Sequence, residues 1–236
     1  MVLLEFAVVA GTTDLTTGSA PIFNNLITVV DASRLTSGDI YASVLTTMVV
    51  KLARRKADSG TPYSGDANGT ISADEFTAAL TVAQSQVKST LGFGLDSSTD
   101  IFTTSPLITS ATTTPAQQAQ VAAYRQAIEA VAAISNAVSE SGGGATAQEA
   151  FDALTEDLSD GTIDGQSDTG AVAAFEGVTA TLQATVTQDV STLNIPGTTT
   201  TVGAIATVLT EERTATGNIA TTTDQLVVTP PTPAVV

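Results

Sequence analysis

The sequence predicts a mainly α protein, with a bundle of about five to six helices between a small N-terminal β element and an extended C-terminal strand or tail. Three observations predict this class. Apolar residues recur at helical spacing through the middle of the chain, two short apolar runs occupy its start, and prolines interrupt its last apolar run. The predicted boundaries are 1–35 for the β element, 36–216 for the helical domain and 217–236 for the tail.

The β element consists of two predicted strands at residues 2–10 and 21–30. Both are apolar runs, and a region rich in Thr and Gly separates them around residues 11–19. Two strands alone are marginally stable in water. The element therefore needs a helix or a further strand to pack against.

The first two helices follow from apolar spacing and a capping signal. Four apolar residues recur every four positions, on one face of a helix that starts near Asp39 and ends near Arg55: Ile40, Val44, Met48 and Leu52. A second helix begins near Ser72, because Ser72 and Glu75 have the spacing of a capping box.

Four further helices complete the predicted bundle. The Thr114-Pro115 pair is a typical start for a long third helix, which glycines 142–144 end. Thr146 and Glu149 cap a short fourth helix. The spacing then predicts a fifth helix over about 172–193 and a sixth over about 202–213, although their many β-branched residues also favour strands.

The C-terminal tail is apolar but cannot be helical throughout. Pro230, Pro231 and Pro233 favour an extended conformation. The segment from Asp224 to Val236 is therefore a candidate donor strand for a neighbouring copy. Packing of the tail on its own domain, or a linker role, are the alternatives.

Composition excludes several chemistries. The chain has 24 acidic and 8 basic residues, a net charge of −16, and neither His nor Cys. Thiolate or imidazole zinc sites and Ser-His-Asp triads are therefore impossible, and a nucleic-acid partner is not expected. No pair of carboxylates has the spacing of a catalytic acid and base, so we expect a protein that is not an enzyme.

The chain has no predicted transmembrane segment, since no apolar run approaches the roughly 20 residues that span a bilayer. Its apolar start carries Glu5 and lacks a basic region, which fits a buried strand better than a signal peptide. Few charged residues and no Cys are typical of an exported bacterial protein. We expect an extracellular or cell-surface location.

Residues 64–75 match the twelve-position calcium loop of an EF-hand. Gly69 stands at the sharp turn, and Ile71 at the hydrophobic position. The six candidate metal ligands are Ser64, Asp66, Asn68, Thr70 through its carbonyl, Ser72 through a water, and Glu75. Calcium prefers six to eight oxygen ligands, which this set can supply.

One position departs from that pattern. Ser64 stands where an aspartate is expected, so only two charged ligands remain and calcium binding should be weak. The alternative is a turn followed by a capped helix with no ion. A second acidic stretch, residues 156–168, does not fit the loop, and predicts a helix end and turn or an irregular cation site.

Half of the positive charge lies in one cluster, Lys51, Arg54, Arg55 and Lys56. Such a cluster could bind a phosphate or an anionic lipid. The alternative is the solvated last turn of a helix, where cations are favourable.

Three groups of short motifs resemble the helical segments of large bacterial surface lipoproteins and adhesin-like proteins. They are Val8–Asp14 with Thr17-Gly18 and Leu45–Met48, then Leu91–Leu95 with Asp100–Pro106, then Phe151–Leu154 with Asp160–Gly165. The resemblance spans about residues 7–190. It implies an exported, calcium-associated and non-enzymatic role at a surface or in a matrix.

Two functions of different classes follow from these expectations. The first is a secreted structural subunit of a bacterial surface fibre or extracellular matrix, which joins copies of itself head to tail when a C-terminal strand completes a neighbour's N-terminal sheet. The alternative is a monomeric, calcium-dependent adhesion or binding module. A carboxylate-dependent hydrolase is the remaining hypothesis.

Overall fold

The computed structural model describes residues 1–14 and 17–215. Within them the predicted fold class is confirmed, because seven α-helices follow a small N-terminal sheet. The predicted C-terminal strand, 217–236, lies outside the described residues. No helix in the described ranges combines the length and apolar content needed to cross a bilayer.

The N-terminal sheet has two antiparallel strands, β1 (Val2–Ala7) and β2 (Asn25–Val30). Val2 lies opposite Val30, and Ala7 lies opposite Asn25. Ile27 and Val29 of β2 are buried in the core, whereas β1 is exposed from Glu5 onward. β2 is therefore the inner strand of the sheet and β1 the outer one.

The helices pack around one long central member. The seven are α1 (Arg34–Ser37), α2 (Val44–Lys56), α3 (Ala73–Leu91), α4 (Pro115–Glu140), α5 (Ala147–Asp157), α6 (Thr179–Thr187) and α7 (Ile205–Ala215). α4 contacts α2, α5, α6 and α7, while α2 lies between α3 and β2. The core is aliphatic, and Tyr124, Phe151 and Phe175 are its largest fully buried side chains.

Capping residues start α3, α4 and α5 where the sequence predicts, whereas the helix expected from near Asp39 begins only at Val44. Ser72 and Glu75 form a complete capping box at the start of α3. Thr114 caps α4, with Pro115 as the first helical residue, and Thr146 caps α5. Each cap satisfies an N–H group that the first helical turn leaves without a partner.

The predicted fifth helix, over 172–193, is wrong in its extent. The chain first forms a short hairpin, β3 (Gln166–Ser167) and β4 (Gly170–Ala171), and then a 3₁₀ turn. Gly177 has φ +83°, a left-handed conformation that ends helical geometry before α6 begins. After α6, the Asp189 carboxylate accepts a hydrogen bond from the Ser191 N–H and starts another 3₁₀ turn.

Two threonines of α2 close one edge of the sheet. The Ile27 N–H donates to Thr47 Oγ1 at 2.8 Å, and Thr46 Oγ1 donates to the Ile27 carbonyl at 2.8 Å. Both hydroxyls are fully buried. They satisfy the two backbone groups that Ile27 directs away from β1, and α2 packs along this edge of the sheet.

Three of the four residues in the basic cluster at the end of α2 pair with acids. Arg55 and Lys56 both contact the Asp168 carboxylate, at 2.7 and 2.9 Å, and Lys51 pairs with Asp152 of α5. Burial raises the pKa of Asp168, but the hydrogen bonds from Arg55 and Lys56 outweigh it and hold the pKa well below its usual range. The cluster thus joins α2 to α5 and to the β3–β4 hairpin.

Candidate metal centre

The segment between α2 and α3 differs from a twelve-residue EF-hand loop at its start. α2 ends at Lys56, so the helix does not lead directly into Ser64. Asp58 occupies the place just after the helix where an EF-hand has its first ligand. The acidic segment thus runs from Asp58 to Glu75, and residues 59–65 form an additional turn within it.

Three carboxylates come together in this segment. Single carboxylate oxygens of Asp58, Asp66 and Glu75 all lie within 4.8 Å of one another. Asp66 is exposed, and the other two residues are half-buried. In the described ranges this is the only group of three or more acidic side chains whose geometry suits a metal ion.

Backbone N–H groups hold two of these carboxylates in place. Asp58 accepts from the Asn68 N–H at 3.0 Å and from the Gly69 N–H at 2.9 Å. Glu75 accepts from the Asp66 N–H at 3.1 Å and from the Ser72 N–H at 2.8 Å. These bonds lower the cost of placing like charges side by side.

Hydrogen bonding favours the ionised form of Glu75. The backbone bond from Ser72 lowers the pKa of this carboxyl, and a backbone bond from Asp66 contributes in the same direction. Glu75 therefore carries its charge at neutral pH. An ionised carboxylate is the form that a hard cation binds.

A close backbone approach brings Asp66 next to Asp58. A Cβ at Gly65 would lie only 2.3 Å from the Ala57 carbonyl oxygen, so only glycine fits between these two stretches. The Gly65 N–H donates to the Ser59 carbonyl at 2.7 Å. The turn at residues 59–65 therefore folds the chain back toward the end of α2.

Of the six predicted ligands, Asp66 and Glu75 lie in the carboxylate group. Ser64 instead adopts a left-handed conformation with φ +65° in the preceding turn. Asn68 donates from its side chain to Asp66 and accepts from the Thr70 N–H at 2.8 Å. Ser72 accepts from the Glu75 N–H and caps α3.

Sequence reasoning missed Asp58, although a signal was present. A fixed twelve-position frame starts at Ser64 and leaves its first ligand without charge. Asp58 follows the predicted end of the first helix by only three residues. A search that allowed an insertion after the first ligand would have placed this carboxylate at the missing position.

The arrangement suits a hard divalent cation. Three carboxylates offer oxygen atoms only, and the chain has no His or Cys to supply softer ligands. Both calcium and magnesium prefer oxygen ligands of this kind.

The second acidic stretch forms a turn closed by one buried carboxylate. Asp157, at the end of α5, accepts from the Gly165 N–H at 3.1 Å. Burial raises the pKa of this carboxyl to about 7, although the backbone bonds from Gly165 and Asp164 oppose the shift. The stretch 156–168 therefore contains the end of a helix followed by a turn, as one of its two predictions stated.

Comparisons of the chain with protein-family models, with curated proteins and with solved structures find no match.

Proposed function

We propose that the chain is a secreted structural subunit of a bacterial surface fibre or extracellular matrix, in which each copy accepts a strand from the next along the outer edge of β1. One observation carries the proposal, namely the open edge of a two-stranded sheet whose other edge is closed. Calcium at Asp58, Asp66 and Glu75 would stabilise the subunit.

The hydrogen-bonding pattern identifies which groups of β1 are open. Ile27 directs both its N–H and its carbonyl to α2, so it is a position that does not exchange hydrogen bonds with its register partner, Glu5. In an antiparallel pair, both residues of such a position point their backbone groups outward. Leu3, Glu5 and Ala7 therefore present N–H and carbonyl groups along the outer edge.

The bond between the Val8 N–H and the Asn24 carbonyl, at 2.9 Å, supports this assignment. It places the even-numbered residues of β1 on the side that bonds to β2. Within residues 1–14 and 17–215, no backbone partner occupies the outward groups of Leu3, Glu5 or Ala7. Unpaired edge groups of this kind are a template for another strand.

Apolar side chains accompany the open edge. Phe6, Val8 and Val9 are 47%, 38% and 70% exposed, and the side chains of Phe6 and Val8 share one face of the strand. Isolated exposed apolar residues are common, but a row beside an unpaired edge is a recognised interaction surface. An added strand would cover both the row and the edge.

The tail of a second copy fits this surface. Residues 224–229 form a run of six without proline, equal in length to the six residues of β1. In an extended conformation Leu226 and Val228 would lie on one face of the strand, and Gln225 and Val227 on the other. Prolines at 230, 231 and 233 would end the added strand without leaving an unpaired donor.

Removing the tail tests this mechanism. We expect a chain ending at Thr223 to remain folded and monomeric in light scattering across a concentration series, while the full chain forms larger species. A synthetic peptide of residues 224–236 should bind the shortened chain, and a scrambled peptide should not. Monomers of the full chain at high concentration would contradict assembly and favour the monomeric binding module.

Substitutions at Glu5 separate edge pairing from side-chain effects. Glu5→Pro removes an outward-pointing N–H and should weaken peptide binding at least tenfold. Glu5→Thr is the matched control, because it keeps the N–H and equally loses the side-chain bond with Asn25. Equal binding by the two variants would refute pairing along this edge.

A further inference from the structure

A cavity of about 260 Å³ lies beside the start of α2, whereas Asp58 follows the end of that helix. Its walls come from the segment before β2, from the start of α2, from α4 and from residues 195–197. The apolar part of the lining includes Pro21, Ile22, Phe23, Leu26, Ile128 and Pro196. An apolar cavity of this kind is the usual form of a small-molecule site.

One face of α4 brings two charged side chains, Arg125 and Glu129, to the wall of the cavity. Arg125, Ile128, Glu129 and Ala132 all line the cavity, at the three- and four-residue spacing that places side chains on one helical face. The cavity therefore contains buried charge as well as apolar surface. Helical residues hold that charge in a fixed position.

The Arg125 guanidinium binds two glutamates. Its Nε donates to Glu129 Oε1 at 2.7 Å, and its two terminal nitrogens donate to the Glu212 carboxylate of α7 at 2.9 and 2.6 Å. All three residues are less than 10% exposed. This pairing orients the guanidinium toward the glutamates.

The second oxygen of Glu129 has no such partner. Glu129 is only 8% exposed, and no residue in the described ranges donates a hydrogen bond to its Oε2. A carboxylate oxygen that is largely removed from water and lacks a hydrogen bond costs free energy. Because Glu129 lines the cavity, a donor bound there could supply the missing bond.

The charge around the cavity favours a cation. Asp14 lines the cavity together with Glu129, so two carboxylate side chains contribute to its wall. Burial is the main cause that raises the pKa of Glu129, and the negative charge of Asp14 raises it further. An anion would add to the repulsion between the two carboxylates, and a neutral apolar guest would leave Glu129 without its bond.

We propose that the cavity binds a small organic ammonium ion, with its N–H groups on the Glu129 carboxylate and its apolar body against Phe23, Leu26 and Ile128. A dry cavity of 150 Å³ accommodates benzene, so this one holds on the order of ten non-hydrogen atoms. Gly197 closes the cavity on one side, where an added Cβ would lie 3.2 Å from Thr17. This inference is independent of strand addition.

Benzylammonium and benzyl alcohol are the probes, since they have nearly the same shape and differ in charge. We expect benzylammonium to shift the methyl NMR signals of Leu26 and Ile128 saturably, with at least tenfold higher affinity than the alcohol. Equal affinity for the two probes would overturn the proposal. So would the absence of shifts with both benzylammonium and the smaller butylammonium at millimolar concentration.

Two variants test the residues. Glu129→Gln should abolish the preference for the ammonium ion, while Glu140→Gln, an exposed position on the same helix, should leave it unchanged. Ala132→Leu fills the cavity from the same face of α4 and should block both probes. If circular dichroism shows that Glu129→Gln does not fold, Ala132→Leu is the deciding variant. Binding of benzylammonium by Ala132→Leu would show that the site is not in this cavity.

Discussion

Three carboxylates from three parts of the chain meet in the α2–α3 connection. Asp58 follows the end of α2, Asp66 lies in the loop, and Glu75 belongs to the first turn of α3. Backbone donors reduce their repulsion without removing it. A divalent cation at this point would join the end of one helix to the start of the next.

Replacing Asp58 tests the proposed cation site at the residue that distinguishes it from a twelve-position loop. We expect millimolar calcium to raise the melting temperature of the wild type, and Asp58→Asn to raise the calcium concentration needed by tenfold or more. Asp74→Asn is the control. Asp74 is an exposed acid in the first turn of α3, next to Glu75, but it is not one of the three grouped carboxylates. A wild type that does not respond to 10 mM calcium would exclude the site.

Asp157 gives the fold a pH dependence. Burial raises its folded-state pKa to about 7, above the value of an unfolded chain, so the folded protein holds this proton more tightly. The resulting stability is complete below about pH 4 and is lost as the pH rises through about 7. The chain has no His, so no side chain with its usual pKa titrates between pH 5 and 8 and adds to the pH dependence of stability there.

Urea unfolding across pH 4.5 to 8 measures this effect. Relative to Asp157→Asn, the wild type should lose about 2 kcal/mol of unfolding free energy over that range. Asp160→Asn, at an exposed position three residues away, should parallel the wild type. Parallel curves for the wild type and Asp157→Asn would show that this proton is not taken up on folding.

At the scale of elements, local signals predicted the helices that begin with strong caps. Ser72 with Glu75 and Thr114 with Pro115 fix the starts of α3 and α4, because each cap acts within one turn. The segment 172–193 has no such cap, and its Val and Thr spacing fits more than one structure. There the positive φ of Gly177 overrides the apolar pattern.

The contact between α2 and β2 depends on buried hydroxyls, and Thr47→Val tests it. Valine keeps the shape but leaves the Ile27 N–H without its acceptor, so we expect a loss of about 1 to 3 kcal/mol in unfolding free energy. Thr81→Val removes an exposed hydroxyl on α3 and should cost less than about 0.5 kcal/mol. Similar losses would mean that the hydroxyl of Thr47 does not stabilise the sheet edge.

Across the whole molecule, α4 is the element on which the others converge, and Arg125 ties it to α7. Long-range pairing of this kind was not predictable, because Arg125 and Glu212 are far apart in the sequence and nothing local marks them as partners. The same holds for the closed edge of β2, which depends on α2. The fold class followed from periodicity, whereas these connections required the three-dimensional structure.

Removing Arg125 should destabilise the whole bundle. Arg125→Leu removes the guanidinium that pairs with the buried carboxylates of Glu129 and Glu212, at an expected cost of about 3 to 5 kcal/mol in chemical unfolding. Arg55→Leu removes a more exposed pair with Asp168 and should cost about 1 kcal/mol or less. Equal losses of unfolding free energy would show that the ion pairs of Arg125 with Glu129 and Glu212 stabilise the fold no more than a surface pair does.

Thr46 and Thr47, which bond to the edge of β2, also limit how many neighbours each copy can join through its sheet. With Thr46 and Thr47 in place of a third strand, the sheet of each copy can grow on one side only. Copies joined by strand addition would then form linear chains without branches, and each chain would have one free acceptor edge at one end and one free donor tail at the other. A copy lacking its last residues would still accept a strand but donate none, so small amounts of it would terminate growth and shorten the chains.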